Sequence, residues 1–431
     1  MVTQPDRSTA AFLVAISLGV IGFFTLRPEV AFVVLPTTCV FCGDLGGTDF
    51  VLNVILFIPL GVSARWLTRR HTATVALGLA TTVLVEALQV AVIPGRYASL
   101  GDLLANTAGT AIGAWLAVQM IAFLNNTADR ARSLSALCAA VSSIVVFATA
   151  MLIQPALPSK PYLDVQWTPV RRNTVPFQGR LLSVSLNDHP LRAGQGIYSS
   201  WLLDSVNRSV AVVARVTSSG GTPPRRAIIV RTANPTEEGF MLAQDRERLV
   251  FRARVLAERL KLRSLEIGLP HGPRPSANAD SVTEIVALSS PRAMSLLTGH
   301  TEGERAVTLR RTVGLGWAVF SPYEVAIGPS WWGVNAIWIG ALVMPLAFLV
   351  KRSSRRDDAS ANPRLPWGPP AFLLASLVFW PMIFGLSPLG PGEAFGVAGG
   401  ITLGILIERW TTPHRVVTSG ADSRTPRITL Q

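Results

Sequence analysis

Charge and cysteine are both scarce in this chain. Of its 431 residues only 15% are charged and 49% are hydrophobic, against about 25% charged in an average soluble domain. That balance excludes an ordinary soluble enzyme and puts much of the chain in a non-aqueous solvent. Three cysteines are too few for a disulfide scaffold or a Cys-rich metal site, and the five histidines are scattered. Cys39 and Cys42 are the close pair; a local disulfide and two separate thiols both fit their spacing. Neither HExxH, G-x-S-x-G nor a Walker loop occurs, which argues against the familiar zinc proteases, α/β hydrolases and NTPases. No metal and no cofactor are expected, and no residue is assigned a catalytic role.

What the chain has instead is long apolar runs, and crossing a bilayer takes about 20 such residues. Suitable runs fall at about residues 10–26, 50–67, 73–93, 103–124 and 134–153. After a long gap come three more, at about 331–350, 371–386 and 392–407. A net charge of +13 would suit nucleic acid, but the basic residues cluster beside these runs. Arg65, Arg69 and Arg70 follow the second, Arg130 and Arg132 the fourth, Lys351, Arg352, Arg355 and Arg356 the sixth, and Arg409, Arg415, Arg424 and Arg427 the eighth. That is the positive-inside pattern, so nucleic acid is not expected as a partner. It predicts a polytopic α-helical cell-membrane protein of about eight transmembrane helices with both termini cytoplasmic. Residues 1–153 supply five helices, 154–329 form an extracytoplasmic domain, and 330–431 supply three helices and a cytoplasmic tail.

Within the gap, apolar residues alternate with polar ones: LLSVSLN from Leu181, SVAVVARV from Ser209, RAIIVRT from Arg226, RLVFRARV from Arg248 and RAVTLRR from Arg305. Alternation with period 2 and Gly, Pro, Asn and Ser punctuation predicts the half-buried strands of an all-β sandwich. Residues 154–330 hold 22 Lys plus Arg against 14 Asp plus Glu, an excess of eight. Such a surface would favour anionic envelope polymers or lipid headgroups, unless the arginines only solvate the outer strand faces. His189 and His271 are isolated and read as surface histidines; Asn207-Arg208-Ser209 fits a glycosylation acceptor, a tripeptide that also arises by chance. The strand rhythm of residues 199–219, the hairpin from GFMLAQ to LVFRARV at 239–255, and GWAVFSP at 316–322 together resemble a concanavalin A-like or laminin G-like sandwich.

An ionisable group at the centre of a span costs about 2.5–3.5 kcal/mol on insertion scales and usually faces protein or a water-filled cavity. Glu86 and Gln89 lie three apart on one face of the third run. Arg96 follows in the turn as the natural charge partner. Asp102 stands at the N-cap position of the fourth run, Asn106 is one turn further on, and Asn53 adds an amide from the second. Topology puts all six at one level near the outer leaflet. Simpler roles are available: Asp102 as a cap, Glu86 and Gln89 as interhelical glue, and Gly109 with Gly113 as a small-xxx-small packing pair. Gly396, Gly400 and Gly404 repeat that spacing in the last run.

NVILFIPLG at 53–61, EALQ at 86–89 and GRYASLGDLLANTAGTAIG at 95–113 carry the ordered pattern N-x-x-x-F-x-P-x-G, E-x-x-Q and R-x-x-x-x-x-D-x-x-x-N-x-x-G. Over roughly residues 10–125 the chain resembles the VanZ-like membrane family. On that resemblance Asn53, Glu86, Gln89, Arg96, Asp102 and Asn106 are the ligand-binding candidates, with Pro59, Gly61, Gly109 and Gly113 as helix-packing positions. The family takes its name from a protein associated with resistance to the lipoglycopeptide teicoplanin, which implies a role in glycopeptide response. The expectation is a non-enzymatic binder of membrane lipids, lipid-linked cell-wall precursors or glycopeptides at the outer leaflet, with the sandwich contacting envelope polysaccharide. The alternative is an outer-leaflet enzyme using Glu86 and Asp102 as acid and base. A transporter ranks last, because the polar residues collect at one end. The sequence does not set the oligomeric state.

Overall fold

The computed structural model describes residues 3–27, 38–41, 43–93, 98–171, 173–203, 208–217, 221–270, 282–300, 303–321, 323–354 and 367–411. Cys42, Arg96, Asn207, His271, Arg355, Arg356 and the tail arginines Arg415, Arg424 and Arg427 lie outside the described residues.

The described helices are α1 (Arg7–Thr25), α2 (Gly46–Thr68), α3 (His71–Val92), α4 (Leu100–Leu124), α5 (Ala128–Leu152), α6 (Trp332–Ser353), α7 (Gly368–Ile383) and α8 (Pro391–Thr411). Their starts follow local chemistry. The Asp6 carboxylate accepts from Thr9 N at 2.7 Å and caps α1, and Thr127 caps α5 through Arg130 N. Helices α1 to α6 are each long and apolar enough to cross a membrane, and α7 is shorter at 16 residues. Phe12, Val83, Leu84, Val90 and Leu137 stay more than half exposed. Such a surface would drive association in water and suits lipid.

Small residues decide where the helices touch. A Cβ on Gly61, Gly109 or Gly113 would fall inside the contact distance of the carbonyl oxygens of Thr110, Val54 and Ile58 respectively, so α2 and α4 meet backbone to backbone. Pro59 is exposed within α2, and the carbonyl of Pro59 accepts from Ser63 Oγ at 2.8 Å. A second seam joins α8 to α6, where Gly396, Gly400 and Gly404 face the carbonyls of Ala336, Gly340 and Met344. Helix α5 packs on α6 and α7: Ser142 Oγ donates to Leu342 O at 3.0 Å and Trp380 Nε1 to Ser143 Oγ at 3.1 Å.

Between α5 and α6 the chain builds two sheets. Their strands are β1 (Tyr162–Trp167), β2 (Arg180–Leu186), β3 (His189–Leu191), β4 (Gly196–Tyr198), β5 (Val210–Thr217), β6 (Arg226–Ala233), β7 (Glu238–Asp245), β8 (Arg248–Ala253), β9 (Glu266–Leu269), β10 (Val282–Ser289), β11 (Ala293–His300), β12 (Gly303–Arg310) and β13 (Ala326–Ile327). One sheet runs β13-β9-β8-β7-β6-β1-β4 and the other β12-β11-β10-β5-β2-β3, antiparallel except for the β13–β9 pair. Val212, Ala214, Ile285 and Ala287 from one sheet meet Leu163, Phe240, Leu242 and Phe251 from the other, and the same core continues through Val146, Ile153, Ile339 and Leu377 of the helical region. GWAVFSP departs from the strand rhythm: Val313–Phe320 is a 3₁₀ helix, an almost wholly apolar run that lacks alternation and is buried against α5 and α6. The segment between β8 and β9 also docks on α2. Gly47 N and Thr48 N donate to Lys261 O at 3.2 and 3.3 Å, and Lys261 Nζ donates to Phe41 O at 2.6 Å.

The arginines of the seven-stranded sheet are mostly not solvent-facing. Register brings Arg226, Arg231 and Arg252 beside Asp245, Glu238 and Glu266, and Glu324 joins them from the segment before β13. Arg226 holds Glu266 with two bonds of 2.8 and 3.0 Å, and Arg252 holds Glu238 at 2.8 Å. Alternation alone cannot tell a solvated arginine from a paired one.

A neighbouring ion pair ties the sheet to the chain leaving α5. Glu237 accepts from Ser159 N at 2.9 Å, Ser159 Oγ at 2.9 Å, Lys160 N at 3.1 Å and Arg254 at 2.7 Å. Burial pushes the Glu237 carboxyl up, but these donors outweigh it and hold the carboxyl below its ordinary value. Its contribution is therefore complete above the ordinary carboxylate range and is lost as pH falls through the depressed value. Wild type is expected to exceed Glu237→Gln in unfolding free energy by about 1.5–3 kcal/mol at neutral pH. Melting curves from pH 7 down to pH 3 should show that gap narrowing below about pH 4; a gap constant across the range would contradict the assignment.

Candidate functional site

The start of α2, the end of α3 and the start of α4 lie together, and their polar residues meet there. Asn53 Nδ2 donates to Asp102 Oδ1 at 2.6 Å, joining α2 to α4. Glu86 Oε2 accepts from Ser99 N at 3.0 Å, joining α3 to the cap of α4. Gln89 Nε2 donates to Thr25 O at 2.9 Å, reaching the last turn of α1, and Asn106 Nδ2 donates to Thr82 Oγ1 at 2.8 Å. Asn53, Glu86, Asp102 and Asn106 thus surround the junction of three helices, whereas Gln89 points away to α1. Arg96 belongs to the turn between α3 and α4 that is outside the described residues.

One detail differs from what the sequence suggests. The N-cap of α4 is Ser99, not Asp102: Ser99 Oγ accepts from Asp102 N at 3.4 Å, and Asp102 lies in the first turn. The spacing S-x-x-D is a capping-box signal, and it was available in SLGD. With the cap supplied by serine, the Asp102 carboxylate is released to reach Asn53. The partners Thr25 and Thr82 carry no signal of their own, since a threonine in a span usually satisfies itself on the preceding turn.

Asn106 is only 2% exposed, and its Oδ1 is buried without a hydrogen-bond partner among the described residues. Whichever end of the amide turns to Thr82, the other end is left over. An unpaired buried polar atom is costly, so this one marks a position that an added hydroxyl, carbonyl or water would improve. The cluster also adjoins the β domain. Gly101 N, in the first turn of α4, donates to Cys39 O at 3.2 Å, and Phe41 O in the same segment accepts from Lys261. A cavity of about 580 Å³ opens at the opposite end of the bundle, lined by Asp6, Thr9, Leu13, Trp66, Met120 and Leu124 among others.

Lipid-facing helices that carry a two-sheet β domain at one end define a multi-pass membrane protein. Residues 7–124, from the first residue of α1 to the last of α4, match the family model described as VanZ/LLP1. These four helices are therefore VanZ-like. No curated protein and no solved structure matches the chain.

Proposed function

We propose that the protein is a non-enzymatic binding protein of the cell envelope. The VanZ-like bundle takes a lipid-linked or glycopeptide-type amphiphile at the end where Asn53, Glu86, Asp102 and Asn106 gather. The β domain, with its concanavalin A-like strand rhythm, lies outside the membrane and engages envelope polysaccharide. Arg96 meets an anionic headgroup in this scheme. The basic clusters after the second, fourth, sixth and eighth apolar runs support that orientation.

The observation that carries the proposal is Asn106, buried amid the cluster with one end of its amide unpartnered among the described residues. Glu86 and Asp102 accept hydrogen bonds that hold helices together, which favours binding over proton transfer. A second reading keeps one specific support: Glu86 accepts from Ser99 N, and Asp102 lies three residues on in the first turn of α4, so both carboxylates belong to the same helix start, as an acid and base acting on a lipid-linked substrate would need. Mass spectrometry of lipids co-purified with the full chain tests the first. Asn106→Leu is expected to lose most of the lipid-linked species while eluting and melting like wild type. An unchanged lipid complement in such a folded variant would overturn the proposal, and product formation abolished by Glu86→Gln would favour the enzyme.

A further inference from the structure

The β domain leaves three large aromatic rings in solvent at one place. Tyr162 is 57% exposed, Tyr198 51% and Trp201 41%. Tyr162 and Tyr198 are directly opposed across β1 and β4, with ring centroids 4.8 Å apart. Tyr198 lies 6.5 Å from Trp201, and the Trp201 ring lies 5.6 Å from that of His189 on β3. Strands β4 and β3 end their respective sheets and are joined through residues 192–195, so the rings line the open edge of the domain across both layers.

Nothing inside the domain requires these rings. They belong to neither sheet's core, and burial there is supplied by Leu163 and Ile197, the inward neighbours of Tyr162 and Tyr198. Their setting is nevertheless fixed. Asn187 and Asp188, with φ of 48° and 66°, form the two-residue turn between β2 and β3. Asn187 Nδ2 donates to Trp201 O at 2.8 Å, while Asn187 Oδ1 accepts from Ala211 N at 2.8 Å. The tryptophan segment is thereby pinned to the β2–β3 hairpin before any ligand arrives, which lowers the ordering cost of binding.

Charge indicates the ligand class. The region 154–330 has eight more basic than acidic residues, yet in the chain beside the ring-bearing strands β1, β3 and β4 Asp164 and Asp188 are matched in number by Lys160 and Arg192. A face for an anionic polymer or an anionic bilayer would concentrate cations instead. Asp164 shares the outward face of β1 with Tyr162 and stands opposite Gly196, where a Cβ would meet open space. Exposed π faces attract the weakly positive C–H faces of pyranose rings, and a carboxylate accepts strongly from sugar hydroxyls.

We infer that the edge formed by Tyr162, Tyr198, Trp201 and His189 is a binding platform for a polymer of neutral pyranose sugars. This rests on the reading that the β domain engages polysaccharide and assigns the place and the sugar class. The test uses the full chain in nanodiscs of neutral lipid, titrated with β-1,4-linked N-acetylglucosamine hexamer, β-1,4-glucan hexamer, dextran sulfate and vesicles of anionic phospholipid. A neutral hexamer should bind wild type. Trp201→Ala and Tyr198→Ala should each weaken it roughly tenfold, Trp201→Phe much less, with melting temperature and co-purified lipid unchanged. If a neutral hexamer binds equally to Trp201→Ala, the platform is wrong and the polysaccharide reading survives. If wild type binds neither hexamer nor dextran sulfate, both fail. Binding confined to dextran sulfate or to the vesicles, or a wild-type dimer that Trp201→Ala dissociates, would also overturn the platform.

Discussion

Glu266→Ala is expected to destabilise the β domain by about 3–5 kcal/mol. Glu266 is buried, and it receives both outer nitrogens of Arg226 at 2.8 and 3.0 Å with Arg252 at 3.9 Å. Burial pushes its carboxyl above the usual range, and Arg226 and Arg252 only partly draw it back. The pair is thus no large source of stability when intact. Breaking it is the costly event, because the Arg226 guanidinium would remain buried with, among the described residues, Asp245 and the half-exposed Glu324 as its remaining carboxylates. Tryptophan-monitored unfolding of the full chain gives the measurement. Glu266→Gln should lose less than alanine, and Glu266→Leu combined with Arg226→Met should recover much of the loss, because apolar replacement of both partners removes the stranded charge. A loss under about 1 kcal/mol for alanine would mean that Asp245 and Glu324 suffice.

Gly109→Leu is expected to separate α2 from α4. A side chain there would enter the space of Val54 O and Phe57 Cβ, and overpacking commonly costs about 1–3 kcal/mol even where side chains can yield. Here one obstacle is backbone, which cannot change rotamer. Separation would also stretch the Asn53–Asp102 bond and so couple the seam to the polar cluster. The expected result is a lowered melting temperature and a reduced monodisperse fraction in detergent, with Gly109→Ala intermediate. Gly19→Leu is the control, since nothing lies within 4 Å of a Cβ at that position. Equal melting of Gly109→Leu and wild type would refute the backbone seam.

The helices were readable because apolar length has few explanations. The expected fourth run at 103–124 and α4 at Leu100–Leu124 share an end, and even the late run at 392–407 lies within α8. Strand positions such as LLSVSLN were readable for the same reason, a single period with a single meaning. What the sequence did not reveal depends on pairing at long range. Nothing local marks Arg226 as the partner of Glu266, 40 residues away. Nothing marks Thr82 as the partner of Asn106, although both sit on expected spans. His189 read as an isolated surface histidine; its place beside Trp201 arises only when two sheet edges close on each other. The cap of α4 is a different case, for SLGD carries the signal locally: Ser99 stands three residues before Asp102.

The unbroken core shared by the sheets and by α5 to α7 bears on the order in which the protein can be made. Val146 and Ile153 come from α5 or just after it, before the strands in the chain, but Ile339, Val343, Leu373 and Leu377 come after them. A ribosome adding about 5–20 residues per second needs several seconds to travel from the last strand to the end of α7. During that interval the sheets have no cover over part of their apolar interior. The apolar surface that the sheets present to α6 and α7 is therefore covered only after those later helices have been made.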